Sequence, residues 1–352
     1  MRSKTTSRVT TPPGPTPKTT IADVAKEAGV SKATVSRFLN HRDTLLSDDI
    51  AARVEAAIAM LRYTPSPMAQ SLKRGRSGLI GLVVADVTNP YSVAVLRGVE
   101  LACREAGYLV IIFNLGNDRA REQEAIAALT SYQVEGFILN TSGYGSMKSR
   151  QTNHYGKPAV LVDRRHANMH EDFVSLDNAY AMTIAIDHLI DAGYRDFLFV
   201  TQPLANVSSR LERESAFQDG MKRHASTVRG TTFEIMEDDA KALDRAIQKL
   251  RKRSGARTAI ITGNAVMTLV VASAFARLGL RYGLDAGLVG FDDAEWAPLI
   301  GTGITTVAQP TEEIGRTAAR CLIERIAGSN IAPRQMLLPG RLILRGSSQP
   351  AA

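Results

Sequence analysis

From Ser77 onward the chain repeats one pattern: an apolar run of four to six residues, too short to be a helix, followed by a longer amphipathic stretch. Runs that are apolar on both faces are strands buried from both sides, which requires helices packed above and below a parallel sheet. The first series reads Leu79–Val84 as strand, Ser92–Ala106 as helix, Leu109–Asn114 as strand, Arg121–Tyr132 as helix, then Gly136–Asn140 and Ala159–Val162 as strands. A second series reads Ala181–Ala192, Arg213–His224, Ala240–Arg251 and Val266–Leu278 as helices among strands at Phe197–Thr201, Thr232–Ile235, Ala259–Thr262 and Leu288–Phe291. Two doubly wound α/β series predict two lobes. A ligand is expected in the cleft at the carboxyl ends of their strands.

The segment before Ser77 has a different texture. Residues 1–17, with four prolines, cannot form a core and are expected to be disordered. Thr20 opens a helix with Asp23 as its capping-box partner and Ile21, Val24, Ala25 and Ala28 as its apolar stripe. After Gly29, Ser31 caps a second helix through Asn40, with Val35 and Leu39 facing inward and Lys32, Ala33, Ser36 and Arg37 outward. A third helix, Ser47–Leu61, carries Asp48 and Asp49 in its first turn, where they favour the positive end of the dipole. Such an all-α unit, with a helix-turn-helix at its centre, suits the reading of DNA. Charge agrees: of a net +8, residues 1–76 hold 13 Lys and Arg against 6 Asp and Glu, or +7. Next, Ser66 and Pro67 start a helix ending at Lys73, too short to be stable alone and expected to fold only when held. A plain linker is the alternative.

Enzyme signatures are not found. GxxxxGK[ST], HExxH and GxSxG do not occur, and Gly301-Thr302-Gly303 lacks the third glycine of a dinucleotide site. His166 and His170 have metal-ligand spacing if helical, but no third ligand is evident. No metal or cofactor is expected. Asp292-Asp293, after a strand, suits either acid–base work or the holding of ligand hydroxyls, and without a nucleophile binding is favoured. Cys103 and Cys321 are expected to be buried, inert thiols. With no span-length apolar run and no secretory h-region, a cytoplasmic protein is expected.

Taken together these residues resemble the lac repressor (LacI/GalR) family of transcriptional regulators from about Thr20 to about Gly346. The specific pieces are Thr20–Arg37, Met68-Ala69-Gln70-Ser71-Leu72, Asn89-Pro90-Tyr91, Val162-Asp163-Arg164 and Val289-Gly290-Phe291-Asp292-Asp293. The resemblance implies a headpiece over 18–63, a hinge helix and linker over 64–76, and a periplasmic-binding-protein-like body with a short tail over 347–352. Its first lobe would be 77–176 plus 308–336, its second 177–307 plus 337–346. It also implies a homodimer, in some members a dimer of dimers, on a pseudo-palindromic operator. No leucine heptad follows Gly346, so a tetramerising coil is not expected.

By matched position, Lys32, Ala33 and Arg37 would read bases, and Thr20, Ser31, Thr34, Ser36 and Asn40 would contact the backbone or cap. Met68, Ala69, Ser71, Leu72 and Lys73 would form the hinge contact, with Leu72 as the minor-groove wedge. The effector residues implied are Tyr91, Asn140, Asp163, Arg213, Asn264, Asp292, Trp296 and Gln309. Ala265 and Ala216 depart from the family pattern, so ligand identity does not transfer from well-known relatives. The segments Phe291–Leu299 and Thr305–Pro310 resemble the branch responding to ketogluconate or ketodeoxygluconate, and a carboxylated sugar is the expected effector. The rival readings are a sugar-binding protein without a DNA role and a sugar-acid enzyme using Asp292 and Asp163. Arg37→Ala is expected to relax specificity at one operator position by about 1–3 kcal/mol, while Lys73→Ala weakens all sequences and flattens the salt slope. Titrations on operator and random DNA at two salt concentrations test this; equal losses on both for Arg37→Ala remove its base-reading role.

Overall fold

The computed structural model describes residues 19–40, 46–65, 76–141, 156–165, 170–204, 207–235, 239–253 and 255–349. The leader, the helix expected at Pro67–Lys73 with its five contact residues, and His166 lie outside them. The chain divides into two units between Ser77 and Gly78.

In the smaller unit, α1 (Ile21–Glu27), α2 (Lys32–Asn40) and α3 (Asp48–Met60) enclose one core of Val24, Ala25, Ala28, Val35, Phe38, Val54 and Ala57. The Asp23 carboxylate accepts from both the N–H and the hydroxyl of Thr20, at 2.8 and 2.7 Å. Gly29 has φ +63°, the left-handed turn that lets α2 leave α1 at once. Leu39 packs against this core as expected, half-buried, and Phe38, not expected from the sequence, is buried beside Val35.

The larger unit holds two six-stranded sheets. The first has the order β11-β5-β4-β3-β1-β2 and the second β12-β10-β9-β8-β6-β7. In chain order these strands are β1 (Leu79–Val84), β2 (Leu109–Asn114), β3 (Gly136–Asn140), β4 (Ala159–Val162), β5 (Asp172–Leu176), β6 (Asp196–Thr201) and β7 (Arg229–Glu234). They continue with β8 (Thr258–Thr262), β9 (Gly287–Phe291), β10 (Thr305–Ala308), β11 (Gln335–Leu338) and β12 (Arg341–Ile343). All pairings are parallel except β10 with β12. The helices are α4 (Pro90–Glu105), α5 (Glu122–Ser131), α6 (Asn178–Asp191), α7 (Ser208–Arg223), α8 (Ala240–Arg253), α9 (Ala265–Leu278) and α10 (Thr311–Ile326). No described helix is long and apolar enough to cross a membrane.

The strands β5, β10, β11 and β12 are absent from the series read in the sequence. The strands are short, and Asp172, Ser175, Thr305, Thr306 and Gln335 interrupt their apolar character. Here tertiary pairing decides what local pattern does not. α7 also begins at Ser208, five residues before the expected Arg213, which brings Ser208 and Ser209 into the helix. Cys103 and Cys321 are buried, and burial pushes the Cys103 thiol up to about 12.

The chain crosses between the sheets three times, after β5, β10 and β11. Asp177 N–H donates to Leu338 O at 2.8 Å, and a side chain at Gly340 would meet Val307 at 3.1 Å and Leu176 at 3.2 Å. The returning segment is fixed to the first sheet. A Cβ at Gly98 of α4 would stand 2.0 Å from Glu312 O of α10, so these helices touch through backbone. Beneath them, the 1%-exposed Asp172 takes Arg325 Nη2 at 2.9 Å and Arg334 Nη2 at 3.1 Å. Burial pushes its carboxyl up, but the two guanidinium groups and the Arg334 N–H win and hold it at about 2, below the ordinary 3.8. A depressed carboxylate stabilises the fold above about pH 4 and loses this as pH falls through about 2, a contribution of about 2 kcal/mol. Asp172→Asn should therefore lower stability by about that amount at pH 7, with the deficit shrinking toward pH 2. Urea unfolding across this range checks it; a pH-independent deficit would contradict the assignment.

Candidate functional site

The mouth between the two lobes is built from equivalent strand ends. Asp163 follows β4 and Asp292 follows β9, each the third strand of its sheet. Both adopt left-handed backbone, φ +65° and +69°, and each N–H reaches the neighbouring strand at 3.0 Å, to Val174 O and Val307 O. Aspartate tolerates this conformation better than larger residues, and the turn leaves both carboxylates buried at the cleft. Asp292 Oδ2 accepts from Ala265 N–H at 2.9 Å and Oδ1 from Gln309 Nε2 at 2.6 Å. Asp163 Oδ2 accepts from Ser209 Oγ at 3.3 Å and faces Arg164 Nε at 3.5 Å.

Arg213, on α7, is 4% exposed. Its guanidinium lies over the Phe291 ring, 4.6 Å from the centroid, and donates through Nε to Asn178 Oδ1 at 2.8 Å and through Nη1 to Gly263 O at 2.5 Å. Two edges of the fork are thus used within the protein, which leaves one edge for a ligand. Asn178 also donates to Glu212 Oε2 at 2.8 Å, while Glu212 Oε1 accepts from Arg165 Nε at 2.7 Å. Arg165 N–H in turn donates to Ser208 Oγ at 2.9 Å. A polar chain therefore runs from the first-lobe loop to Arg213.

Tyr91 enters through local chemistry: Asn89 caps α4, its Oδ1 accepting from Tyr91 N–H at 3.1 Å, and Pro90 occupies the first helical position without a lost hydrogen bond. Burial pushes the Tyr91 phenol well above its ordinary range, and the charges of Asp163 and Asp292 outweigh those of Arg213 and Arg164 in the same direction. It remains a neutral donor. Burial likewise raises the Asp292 carboxyl, against Arg213, the Ala265 N–H and Gln309, with Asp163 adding to the rise. Among the described residues, Tyr91 Oη, Gln309 Oε1 and Arg164 Nε are buried here without a hydrogen-bond partner. Unpaired buried polar atoms are costly, and three at one cleft require an occupant rich in donors and acceptors.

Of the remaining expected residues, Asn264 caps α9 with Oδ1 on Met267 N–H at 2.9 Å and donates to Gln202 Oε1 at 3.1 Å. Asn140 is buried at the end of β3. Trp296 is half-buried against the second lobe's apolar cluster, which includes Met267 and Ala297. Arg164, Asn178, Ser209 and Gln202 were not singled out. Arg164 stood within a recognised motif, but the others carry no local signal.

On the small unit, Lys32, Ala33 and Arg37 are exposed on one face of α2, Thr34 and Ser36 are half-buried, and Thr20 and Ser31 are exposed. Ser31 Oγ accepts from Thr34 N–H at 3.1 Å, so its hydroxyl caps the helix. The side chain of Asn40 is outside the described residues.

Residues 20–66 match the family described as bacterial regulatory proteins, lacI family, and residues 186–348 match the periplasmic binding protein-like domain. The HTH-type transcriptional regulator PtxS of Pseudomonas aeruginosa is 44% identical over 333 residues, covering 95% of this chain and 96% of the relative. The HTH-type transcriptional regulator KdgR of Bacillus subtilis is 39% identical over 332 residues, covering 94% and 97%. A crystal structure of the lac repressor dimer bound to operator and the anti-inducer ONPF superimposes with a TM-score of 0.81 at 24% identity, covering 94% of this chain and 99% of that one, a likeness of fold.

Replacing Arg213 by Met should leave Asp292 as an uncompensated buried charge and cost about 3–5 kcal/mol near neutral pH. Because its carboxyl, already raised, then rises further, the variant should lose stability as pH rises and recover it toward acid. Thermal melts from pH 5 to 8 test this, and a constant deficit would count against the pairing.

Proposed function

The chain belongs to the lacI family of bacterial transcriptional regulators, and from that premise we propose that it is a repressor whose effector is a sugar acid held between the two lobes. The observation that carries the ligand reading is the composition of the cleft: two buried carboxylates, two guanidinium groups, and three buried polar atoms without a hydrogen bond among the described residues. Asp163 and Asp292, fixed by neighbouring donors, suit the holding of hydroxyls. Tyr91 offers a neutral O–H, and Arg164 with the free edge of Arg213 offers positive charge to a carboxylate. Both aspartates are engaged as acceptors, which favours binding over acid–base chemistry. Asn140 and Asn264 complete the rim, and Trp296 supports it from the core.

DNA is the second partner in this reading. Lys32, Ala33 and Arg37 would read base edges, with Thr20, Ser31, Thr34, Ser36 and Asn40 holding the phosphates and the hinge residues Met68–Lys73 entering the minor groove. One such helix makes few base contacts, so selectivity needs two copies in a homodimer on a symmetric operator. The proposed division is headpiece 18–63, hinge 64–76, first lobe 77–176 plus 308–336 and second lobe 177–307 plus 337–346. Ligand-dependent movement of the lobes would alter how the hinge segments present the headpieces, with a coupling of about 1–3 kcal/mol, or about 5- to 150-fold in operator affinity.

The expected result is that 2-ketogluconate or 2-keto-3-deoxygluconate raises the melting temperature and changes operator affinity within that range, whereas ribose and glucose do neither. Arg164→Met should abolish the preference for the acid over the neutral sugar. Thermal-shift and DNA-binding titrations decide it; a neutral sugar binding better than every acid would refute the carboxylate reading.

A further inference from the structure

The second sheet has a polar cavity at the end opposite the cleft. It holds about 280 Å³ and lies beside the amino-terminal ends of β6, β8 and β9, lined by Tyr194, Arg251, Arg257, Thr258, Gly283 and Asp285 among others. Its charge is positive. Asp285 is fully engaged, taking Arg251 Nη2 at 3.1 Å on Oδ1 and both Arg281 Nε at 3.0 Å and Arg281 N–H at 2.9 Å on Oδ2. That leaves Arg251 and Arg281 sharing one carboxylate, while the exposed guanidinium of Arg257 has no partner among the described residues.

Tyr194 is 1% exposed, and its hydroxyl has no hydrogen-bond partner. The ring is seated with care: a Cβ at Gly287 would come within 2.6 Å of its Cζ and 2.9 Å of its Oη, so glycine at the start of β9 makes room for it. A phenylalanine would fill the same space without stranding a hydroxyl. Burial pushes the Tyr194 phenol up, against the charge of Arg257, so it stays protonated and presents a donor beside the unpaired guanidinium. The other wall is stiff. The carbonyl of Gln349 in the C-terminal segment lies where a Cβ at Gly283 would be, 2.1 Å away, and Gly283 N–H donates to Ala286 O at 2.9 Å.

We infer that this cavity is a second ligand site, for the phosphoryl group of a small phosphorylated molecule, with Arg257, Arg251 and the Tyr194 hydroxyl as its donors. A guanidinium with unused N–H groups, a second one sharing its counterion and a neutral O–H on another element supply donors from separate strands and loops, which suits a tetrahedral anion. The strand that ends at Asp292, β9, begins at this cavity. Five or six residues of β6, β8 and β9 separate the two ends, about 17–20 Å of stiff parallel sheet. The site is independent of the cleft, and the sugar-acid reading can fail without affecting it.

The test uses the full-length protein. Inorganic phosphate and glycerol 3-phosphate, titrated at constant ionic strength against chloride and acetate, should raise the melting temperature saturably. Arg257→Gln should weaken that binding about tenfold, and Tyr194→Phe should weaken it severalfold while keeping the unliganded melting temperature at or above that of the native chain. Arg213→Met should leave phosphate affinity unchanged, which separates this cavity from the cleft. Phosphate binding that survives Arg257→Gln, no saturable shift, or an equal response to acetate would each overturn the proposal.

Discussion

The buried guanidinium of Arg213 is the interaction on which the cleft depends. A cation taken out of water must be met on every side, and here an apolar ring lies beneath it, a carbonyl and an amide oxygen accept its protons, and the charge of Asp292 lies nearby. Each partner is fixed in turn. Asn178 is held by Glu212, Glu212 by Arg165, and Asp292 by Ala265 and Gln309. The residues that would touch a ligand are therefore oriented before it arrives, which reduces the cost of ordering them on binding.

The two aspartates have this role because of the sheets rather than their immediate neighbours. A parallel strand that ends in a left-handed residue turns its side chain out of the sheet plane while its N–H stays in the ladder, and both lobes use the device at the same strand. Two copies of one fold, facing each other, thereby present two carboxylates to one space. Burial raises the Asp292 carboxyl and the charge of Asp163 adds to the rise, while Arg213, the Ala265 N–H and Gln309 offset it. A ligand carrying a further negative charge, as proposed above, would need the positive charge of Arg164 and Arg213 beside these carboxylates.

The main framework was legible in the sequence, because the central strands are apolar on both faces and only a doubly wound sheet buries them. Leu109–Asn114, Gly136–Asn140 and Ala159–Val162 were read with their observed bounds. Of the edge strands, β2 was read because Leu109–Phe113 is apolar throughout, whereas β11 and β12 were not, since strands of 4 and 3 residues mixing apolar and polar positions carry too little pattern to be seen without their neighbours. The site divides along the same line. Tyr91, Asp163, Arg213, Asp292 and Gln309 come together as motif resemblance implied, but Asn178, Ser209 and Gln202 were invisible because their contacts join residues up to 62 positions apart. In the headpiece Leu39 packs against the core as expected, and Phe38, one residue earlier, is buried more deeply beside Val35.

Where the body can move follows from where it is tightly packed. The first lobe is stiffened by α4 and α10, which meet backbone to backbone at Gly98 and Gly315, and by Asp172, which binds the returning segment through two arginines. Interiors packed this closely do not deform smoothly. Relative motion of the lobes must be absorbed at the three adjacent crossings near Asp177, Gln309 and Gly340 and in polar contacts between the lobes. Among the described residues those contacts include Arg165 with Glu212, Arg165 with Ser208, and Asp163 with Ser209, all hydrophilic. Exposed or partly exposed polar pairs contribute little stability each, so the energy difference between lobe arrangements is small enough for a ligand with a few good hydrogen bonds to shift it. The cleft thus combines rigid walls with weakly joined lobes, the combination that lets a small molecule control its separation.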